Sequence, residues 1–303
     1  MRSDKPKRST KPWNSKIALR LGLAIGLAVV IRRLFPPAPV AKDAAYASLS
    51  PAQKLDLYVP RGEGPFPVIV HVHGGGWRTG DKADPRALIG ITALIKRGYA
   101  VASVNYRLSA EAKFPAQIHD VKAAVRWLRA HAKVYNLDAE RVGAVGESAG
   151  GHLVSLLGTA GDVPELEGRE LGNAEFSSRV QAVVDVFGLI DFLPKDGRNG
   201  RQVLELESAL LGTAVEEHPE LAEKASPMTY ITSDDPPFLI LHGTRDTLVP
   251  PQHSMEFYNA LLPVLGSENV TSHFFQAGHS GLAVLHPSNM ARIIHFFDQH
   301  LKT

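Results

Sequence analysis

The chain has 303 residues, of which 44% are hydrophobic, and its 33 basic and 31 acidic residues leave a formal charge of +2. This length and composition fit one large globular domain with a substantial core, and they exclude a largely disordered chain. The sequence contains no cysteine, which excludes disulfides, a thiolate nucleophile and cysteine-ligated zinc.

The charges are unevenly distributed along the chain. Residues 1–33 contain nine Lys and Arg but a single acidic residue, Asp4, which leaves 24 basic and 30 acidic residues in the remainder. The body of the protein is therefore acidic, and the pI near 8.7 reflects the N-terminal segment. An acidic body disfavours nucleic acid as a partner.

The N-terminal segment carries a short apolar run between basic residues. Leu21 to Ile31 is apolar, with Arg20 before it and Arg32-Arg33 after it. A membrane-spanning helix needs about 17–25 apolar residues, so a complete span is doubtful. We interpret residues 1–44 as a signal, a short membrane anchor or a plain tail, followed by a proline-rich linker. The protein is accordingly expected to be exported or membrane-associated through residues 17–33, or otherwise cytoplasmic.

From residue 45 onward, strand patterns alternate with helix patterns. The run Pro67–His73 is almost continuously apolar, as expected of a strand buried on both faces. The predicted strands cover residues 55–59, 67–73, 99–105, 141–145, 180–187, 237–241 and 270–276. The predicted helices cover residues 86–97, 116–134, 149–159, 254–265 and the stretch from 288 onward. This alternation predicts a mainly parallel sheet with ligands bound at the carboxyl ends of its strands.

A candidate nucleophile follows the strand at residues 141–145. Gly146-Glu147-Ser148-Ala149-Gly150 has the pattern G-x-S-x-G and lies directly before the helix that starts at Ala149. A serine on such a strand-to-helix turn is exposed at the rim of the sheet, and glycines on either side let the backbones approach closely. The positive end of the helix dipole would then lie next to Ser148.

A glycine-rich loop follows the strand at residues 67–73. His73-Gly74-Gly75-Gly76-Trp77 offers backbone amides without Cβ atoms in the way. Hydrolysis of an ester creates an oxyanion that needs preorganised N–H donors about 2.7–3.1 Å away. We expect the amides of Gly75, Gly76 and Ala149 to form this oxyanion hole. His73 is interpreted as a brace of the loop, and Trp77 as a wall of the pocket or a packing residue.

An acid and a base follow two later strands. Asp246 comes after the strand at residues 237–241, and His279 comes after the last strand, at residues 270–276. The order Ser148, Asp246, His279 is the order of catalytic residues in α/β hydrolases. The sequence has no H-E-x-x-H pattern or similar ligand spacing, so neither a metal nor another cofactor is expected.

Taken together, these motifs resemble the HGGG-type esterases, a group that includes hormone-sensitive-lipase-like hydrolases and the bacterial feruloyl/acetyl-xylan esterase-like (BD-FAE) hydrolases. The resemblance extends from about Leu55 to Phe297. It is carried by His73–Trp77, Gly80-Asp81-Lys82, Tyr106-Arg107-Leu108, Phe114-Pro115 with Asp120, Gly146–Gly151, and Pro236–Gly243 with Asp246 and Val249-Pro250.

The resemblance implies an α/β-hydrolase fold over residues 45–303: a mainly parallel eight-stranded sheet, helices on both faces, and a small cap inserted at about 188–235. Such a short cap suggests an open cleft for small esters, with Trp77, Phe187 and Leu189 as candidate pocket walls. Tyr106, Arg107 and Asp120 are interpreted as structural. The oligomeric state is left open.

The expected function is a cofactor-independent serine hydrolase that cleaves small carboxylic esters through an acyl-enzyme. One alternative is an amide-directed hydrolase, similar to an arylformamidase or a peptidase, because such enzymes use the same triad. A second alternative is a hydrolase fold without catalytic activity that serves as a binding protein. A third is a membrane-tethered structural protein in which the hydrolase body is incidental.

Overall fold

A computed structural model of the chain describes residues 35–161, 163–193 and 199–302. The predicted signal or anchor at residues 17–33 lies outside these ranges. Within the three ranges, no helix is both long and apolar enough to cross a membrane.

Eight strands form one sheet. They are β1 (Ala41–Ala45), β2 (Lys54–Tyr58), β3 (Phe66–Val72), β4 (Ala100–Val104), β5 (Leu137–Glu147), β6 (Ala182–Val186), β7 (Phe238–Gly243) and β8 (Val270–Phe275). Their order across the sheet is β1-β2-β4-β3-β5-β6-β7-β8. The pairs β1–β2 and β2–β4 are antiparallel, and every later pair is parallel. The eight-stranded, mainly parallel sheet that the family resemblance implied is confirmed.

Helices cover both faces of the sheet. The α-helices are α1 (Pro85–Lys96), α2 (Ala116–Ala130), α3 (Ala132–Tyr135), α4 (Ala149–Thr159), α5 (Arg201–Leu211), α6 (Pro219–Ala225), α7 (Gln252–Leu265), α8 (Gly281–Val284) and α9 (Pro287–Leu301). Successive residues of β3 alternate between two cores: Val68 and Val70 pack with α2, α4 and α7, whereas Ile69 packs with α1 and α9. This alternation follows from the two-residue period of side chains along a strand.

The first strand lies partly in the segment that we predicted to be a linker. β1 begins at Ala41, four residues before the predicted start of the domain, and pairs with β2. Its sequence includes Lys42 and Asp43 and has no residue that is fully buried. An edge strand of this kind lacks the apolar pattern by which buried strands are recognised, so the predicted boundary at residue 45 was wrong.

Two other boundaries differ from the predicted ones. The helix predicted over 116–134 is two helices, α2 and α3, separated at His131. The chain then turns through Asn136 in the left-handed conformation (φ 56°) and enters β5, which is longer at both ends than the predicted strand 141–145. Asparagine tolerates this conformation better than most residues, and the turn ends the helical stretch.

The segment between β6 and β7 covers the carboxyl edge of the sheet. It contains α5, α6 and a short 3₁₀ helix at Pro227–Tyr230. Val203, Leu210 and Leu211 of α5 are buried in the same core as α2 and α4. The segment is thus attached to the body by apolar packing, and Leu206 of α5 lies close to Gly76 in the loop after β3.

Candidate active site

Ser148 occupies a strained turn between β5 and α4. Its backbone angles are φ 55° and ψ −119°, a conformation that non-glycine residues rarely adopt. A Cβ on Gly146 would collide with the backbone of Gly150, and a Cβ on Gly150 would collide with the carbonyl oxygen of Val72. These two glycines let helix α4 start directly behind the strand, and so the turn places Ser148 at the rim of the sheet.

The structure brings the three predicted triad residues together. Nε2 of His279 is 2.9 Å from Oγ of Ser148, and Nδ1 of His279 is 2.7 Å from Oδ2 of Asp246. Ser148 follows β5, Asp246 follows β7 and His279 follows β8. The carboxyl ends of neighbouring parallel strands meet at one edge of the sheet, which explains how residues so distant in sequence become neighbours.

Asp246 is held by hydrogen bonds that favour its ionised form. Its side chain is fully buried, and Oδ1 accepts hydrogen bonds from the amides of Leu248 (2.9 Å) and Val249 (3.0 Å). Nε2 of His242 lies 3.3 Å from Oδ2. Burial raises the pKa of Asp246, but the hydrogen bonds from His242 and His279 outweigh it, so that the pKa of this carboxyl lies well below its usual range.

His242 is a site residue that the sequence analysis did not identify. It lies near the end of β7, and its Nδ1 is 2.7 Å from Oγ of Ser254 while its Nε2 is 3.0 Å from the carbonyl oxygen of Val249. The side chain therefore braces the loop that carries Asp246. A histidine four residues before the candidate acid, at the end of a buried strand, is the signal that could have revealed it.

The predicted wall residues Phe187 and Leu189 follow β6. Both are buried, and both line the cleft in front of Ser148. Phe187 has a positive φ of 42°, and the centre of its ring lies 4.5 Å from that of His279. Phe187 thus forms part of the wall and also limits the positions that the imidazole of His279 can take.

The glycine loop after β3 packs directly against the serine turn. A Cβ on Gly74 would lie 2.7 Å from the carbonyl oxygen of Glu147 and 3.4 Å from Cβ of Ser148. Gly75 (φ 113°) and Gly76 (φ 60°) have left-handed backbones, and a Cβ on Gly75 would collide with the carbonyl group of Thr79. Gly75, Gly76 and Ala149 line the cleft together with Ser148. The loop can approach the serine this closely because it lacks side chains.

His73 and Trp77 fix the two ends of this loop. The ring of His73 stacks on that of Tyr106 at 4.5 Å, and the hydroxyl of Tyr106 donates a hydrogen bond to the carbonyl oxygen of His73. Nε1 of Trp77 donates to Nδ1 of His152 (3.2 Å), and Nε2 of His152 lies 2.7 Å from the carbonyl oxygen of Ala225. His73 is placed to brace the loop, whereas Trp77 both packs in the core and lines the cleft.

Arg107 and Asp120 form a buried ion pair away from the cleft lining. Nη2 of Arg107 lies 2.7 Å from Oδ1 of Asp120, whose side chain is fully buried. The amide of Arg107 and the side chain of Gln53 also donate to this carboxylate. The pair joins helix α2 to the segment after β4, which agrees with the structural role predicted for Tyr106, Arg107 and Asp120.

The cleft has a volume of about 660 Å³ and two kinds of lining. Besides the predicted walls, apolar residues come from α5 and from the loop after β7, and charged residues come from the start of α1, its preceding loop and the end of β5. The lining residues that the sequence analysis did not assign to the pocket include Val203, Leu206, Leu248, Val249, Gln202, Arg78, Asp84, Arg86 and Glu147. In the described ranges, no group of three or more His, Asp or Glu side chains is arranged to hold a metal ion.

Comparisons with known proteins agree with this fold. The BD-FAE family model matches residues 55–261. Esterase LipC of Mycobacterium tuberculosis is 32% identical over 76% of this chain and 57% of its own length. The probable carboxylic ester hydrolase LipM of the same organism is 32% identical over 80% of this chain and 59% of its own length. The chain therefore spans little more than half of these relatives.

Solved structures give the same result. A truncated carbohydrate esterase from gut microbiota superposes with a TM-score of 0.78 at 29% identity, covering 89% of this chain and 100% of the other. The thermophilic esterase Est2 of Thermogutta terrifontis superposes with a TM-score of 0.70 at 25% identity, covering 87% of this chain and 94% of the other. With the family model matching most of its length, this chain belongs to the BD-FAE family and has the α/β-hydrolase fold.

Proposed function

We propose that this chain is a serine hydrolase that cleaves small carboxylic esters, with Ser148 as nucleophile, His279 as general base and Asp246 as its orienting acid. The single observation that carries the proposal is the hydrogen-bonded series of Oγ of Ser148, the imidazole of His279 and the carboxylate of Asp246, at 2.9 and 2.7 Å. This arrangement lets His279 accept the serine proton through Nε2 while Asp246 keeps Nδ1 protonated.

The proposed reaction proceeds through an acyl-enzyme. Oγ of Ser148 attacks the ester carbonyl carbon as its proton moves to His279. The tetrahedral intermediate collapses, and His279 returns the proton to the departing alcohol. A water molecule, deprotonated by the same histidine, then attacks the carbonyl carbon of the acyl-serine. The bond to Oγ breaks, His279 returns the proton to Ser148, and the carboxylic acid is released. Every proton in this cycle passes through Nε2 of His279, so no cofactor is required.

In this proposal the oxyanion is stabilised by backbone amides of Gly75, Gly76 and Ala149. The support is their position: all three residues line the cleft beside Ser148, and Ala149 is the first residue of helix α4. Amides in the first turn of a helix have no acceptor within that helix, and they form the positive end of the helix dipole. Fixed donors of this kind are already oriented when negative charge develops, which lowers the barrier.

The proposed substrates are esters with small acyl groups. The relatives that are named as esterases or carboxylic ester hydrolases support ester cleavage. Two features of the chain support small size: a cleft of about 660 Å³, and a covering segment whose described α-helices, α5 and α6, have 11 and 7 residues. We propose that this segment, at about residues 188–235, acts as a small cap and not as a large lid.

The proposal is tested by ester turnover with Ser148→Ala. We expect hydrolysis of 4-nitrophenyl acetate by the purified protein, and a fall in kcat of at least about 10⁴-fold in the variant. Ser48→Ala is the matched control, because Ser48 is exposed and lies outside the cleft lining. Comparable turnover by Ser148→Ala and the unmodified protein would remove Ser148 from the proposed role.

A substrate panel separates ester from amide hydrolysis. The same triad can cleave formyl-aromatic amides or dipeptide amides, so these are assayed beside nitrophenyl esters at matched concentrations. We expect kcat/KM to be higher for the esters. Faster cleavage of the amides would replace the ester proposal with an amide-directed hydrolase, and no turnover of either class would favour a binding protein.

A further inference from the structure

The charged part of the cleft is not required by the proposed chemistry. Ester cleavage at Ser148 uses a neutral carbonyl group, and the apolar lining from Trp77, Phe187, Leu189 and Leu206 suffices to hold a small acyl chain. The cleft also contains two arginines and two acidic residues, Arg78, Arg86, Asp84 and Glu147. These four charges differ in whether a partner of opposite charge within the protein neutralises them.

Two of the four charges neutralise each other. Nη2 of Arg86 lies 2.6 Å from Oδ2 of Asp84, and Nε of Arg86 donates to Oδ1 at 3.1 Å. This bidentate pair holds the pKa of Asp84 below its usual value. Arg86 and Asp84 together therefore add no net charge to the cleft.

Glu147 lines the cleft as a half-buried residue. Its carboxylate packs so closely against Gly281 that a Cβ there would collide with Oε2. Burial raises the pKa of Glu147, and the nearby charge of Arg86 opposes this only in part. Glu147 thus packs beside Gly281, and among the described residues it forms no ion pair with Arg78.

Arg78 is the remaining charge. It follows Trp77 in the loop of the proposed oxyanion hole, and its amide donates to the carbonyl oxygen of Gly75 at 3.1 Å, which fixes its backbone. Its side chain is exposed, and among the described residues it has no hydrogen-bond or ion-pair partner. The body of the protein has more acidic than basic residues, so a general excess of cations does not explain an uncompensated arginine in this cleft.

We propose that Arg78 binds an anionic group, a carboxylate, on the part of the ester that does not react. The guanidinium offers a planar set of donors that matches a carboxylate in a bidentate arrangement. The inference rests on the proposed function and narrows its substrate class to esters that carry a negative charge. The anion can lie on the acyl side or on the alcohol side of the scissile bond, and the experiment has one arm for each.

Matched ester pairs test this inference. On the acyl side, 4-methylumbelliferyl hemisuccinate is compared with the butyrate; on the alcohol side, 3-carboxyphenyl butyrate is compared with phenyl butyrate. The readout is the ratio of kcat/KM for the anionic ester to kcat/KM for the neutral one. In Arg78→Gln, we expect this ratio to fall by about three- to tenfold in one arm, the effect of losing one charge-assisted hydrogen bond in a partly exposed site.

Two further variants make the result specific. Arg78→Lys keeps the positive charge and is expected to keep most of the preference for the anionic ester over the neutral one. Arg201→Gln removes a cation from the outer side of α5, where Arg201 is paired with Glu205 and does not line the cleft, and both ratios are expected to stay unchanged. In the unmodified protein, raising the salt concentration should lower the ratio, because ions screen an exposed charge pair.

The outcomes separate the two proposals. If the neutral esters are hydrolysed but both ratios change by less than about threefold in Arg78→Gln, the anion site is overturned and the proposed function is not. An equal fall of the kcat/KM ratio in Arg201→Gln also overturns the anion site, since the effect would then be one of overall charge. Absence of hydrolysis of all four esters by the unmodified protein overturns the proposed function and this inference with it.

Discussion

At the scale of single residues, several residues with unusual backbone conformations line the cleft. Ser148, Phe187 and Trp77 are non-glycine residues with positive φ, and Gly75 and Gly76 are left-handed as well. Each lies within five residues of the carboxyl end of β3, β5 or β6. Such conformations persist only where the surroundings enforce them, and they are typical of functional sites. Here they occur at residues that line a common cleft.

Gly75 and Gly76 give a prediction that separates a collision with the backbone from a collision with a movable side chain. A Cβ on Gly75 would collide with the backbone of Thr79, whereas a Cβ on Gly76 would meet only the end of the Leu206 side chain, at 2.8 Å. We expect Gly75→Ala to displace the loop and lower kcat for 4-nitrophenyl acetate by about 100- to 1,000-fold, the usual cost of losing an oxyanion donor. Gly76→Ala should have a smaller effect, because Leu206 can move aside.

Gly200→Ala is the control for this comparison. Gly200 precedes α5, has an ordinary φ of −68°, and would have open space around a new Cβ. The kcat of Gly200→Ala should remain close to that of the unmodified protein. Equal activity of Gly75→Ala and Gly200→Ala would contradict the role that we propose for the Gly75 amide.

At the scale of elements, the sequence predicted those strands whose pattern reflects burial. β3 and β7 are continuous apolar runs because both of their faces are covered, and the serine motif marks the junction of β5 and α4. Chain order then pointed to Asp246 and His279 among many polar turn residues. The edge strand β1, the brace His242 and the cleft residues of α5 were not predicted, because they depend on tertiary neighbours and not on local periodicity.

β6 and α4 meet at a buried carboxyl group that gives a pH-dependent prediction. Oδ1 of Asp185 accepts a hydrogen bond from the amide of Gly188 at 2.9 Å, and Oδ2 has no partner among the described residues. Burial raises the pKa of Asp185 to about 7, although the hydrogen bond from Gly188 lowers it in part. Between about pH 4, where the unfolded carboxyl ionises, and pH 7, the folded state keeps a proton that the unfolded state has released.

The free energy of unfolding of the native protein should therefore decrease as pH rises through this window. The slope attributable to Asp185 is at most about 1.4 kcal/mol per pH unit, the value for one proton. Asp185→Asn keeps the shape and an acceptor for Gly188 but cannot ionise, so the decrease should be absent from the variant. Urea unfolding of both proteins from pH 4 to 8 measures the difference between their free energies of unfolding. The contributions of all other titrating groups are common to both proteins and cancel in this difference. Parallel profiles would show that Asp185 is already ionised in the folded state.

At the scale of the whole molecule, the shape of the cleft predicts the size of the substrate. Among the described residues, the cap segment contributes α5, α6 and a short 3₁₀ helix, and the cleft that it covers has a volume of about 660 Å³. Each methylene of an acyl chain gains about 0.8 kcal/mol only where it becomes buried. We expect kcat/KM for 4-nitrophenyl esters to be highest for acetate to butyrate and to fall for decanoate and longer chains. A steady increase up to palmitate would indicate a long apolar channel and contradict the small-cap interpretation.

The central claim is that Ser148 alone forms the covalent intermediate. It is tested most directly by treating the full-length protein with a fluorophosphonate, measuring the intact mass and locating the adduct by peptide mass spectrometry. We expect one adduct per chain, on Ser148, and no adduct in Ser148→Ala. A stoichiometric adduct on a different residue, or full labelling of Ser148→Ala, would contradict the account.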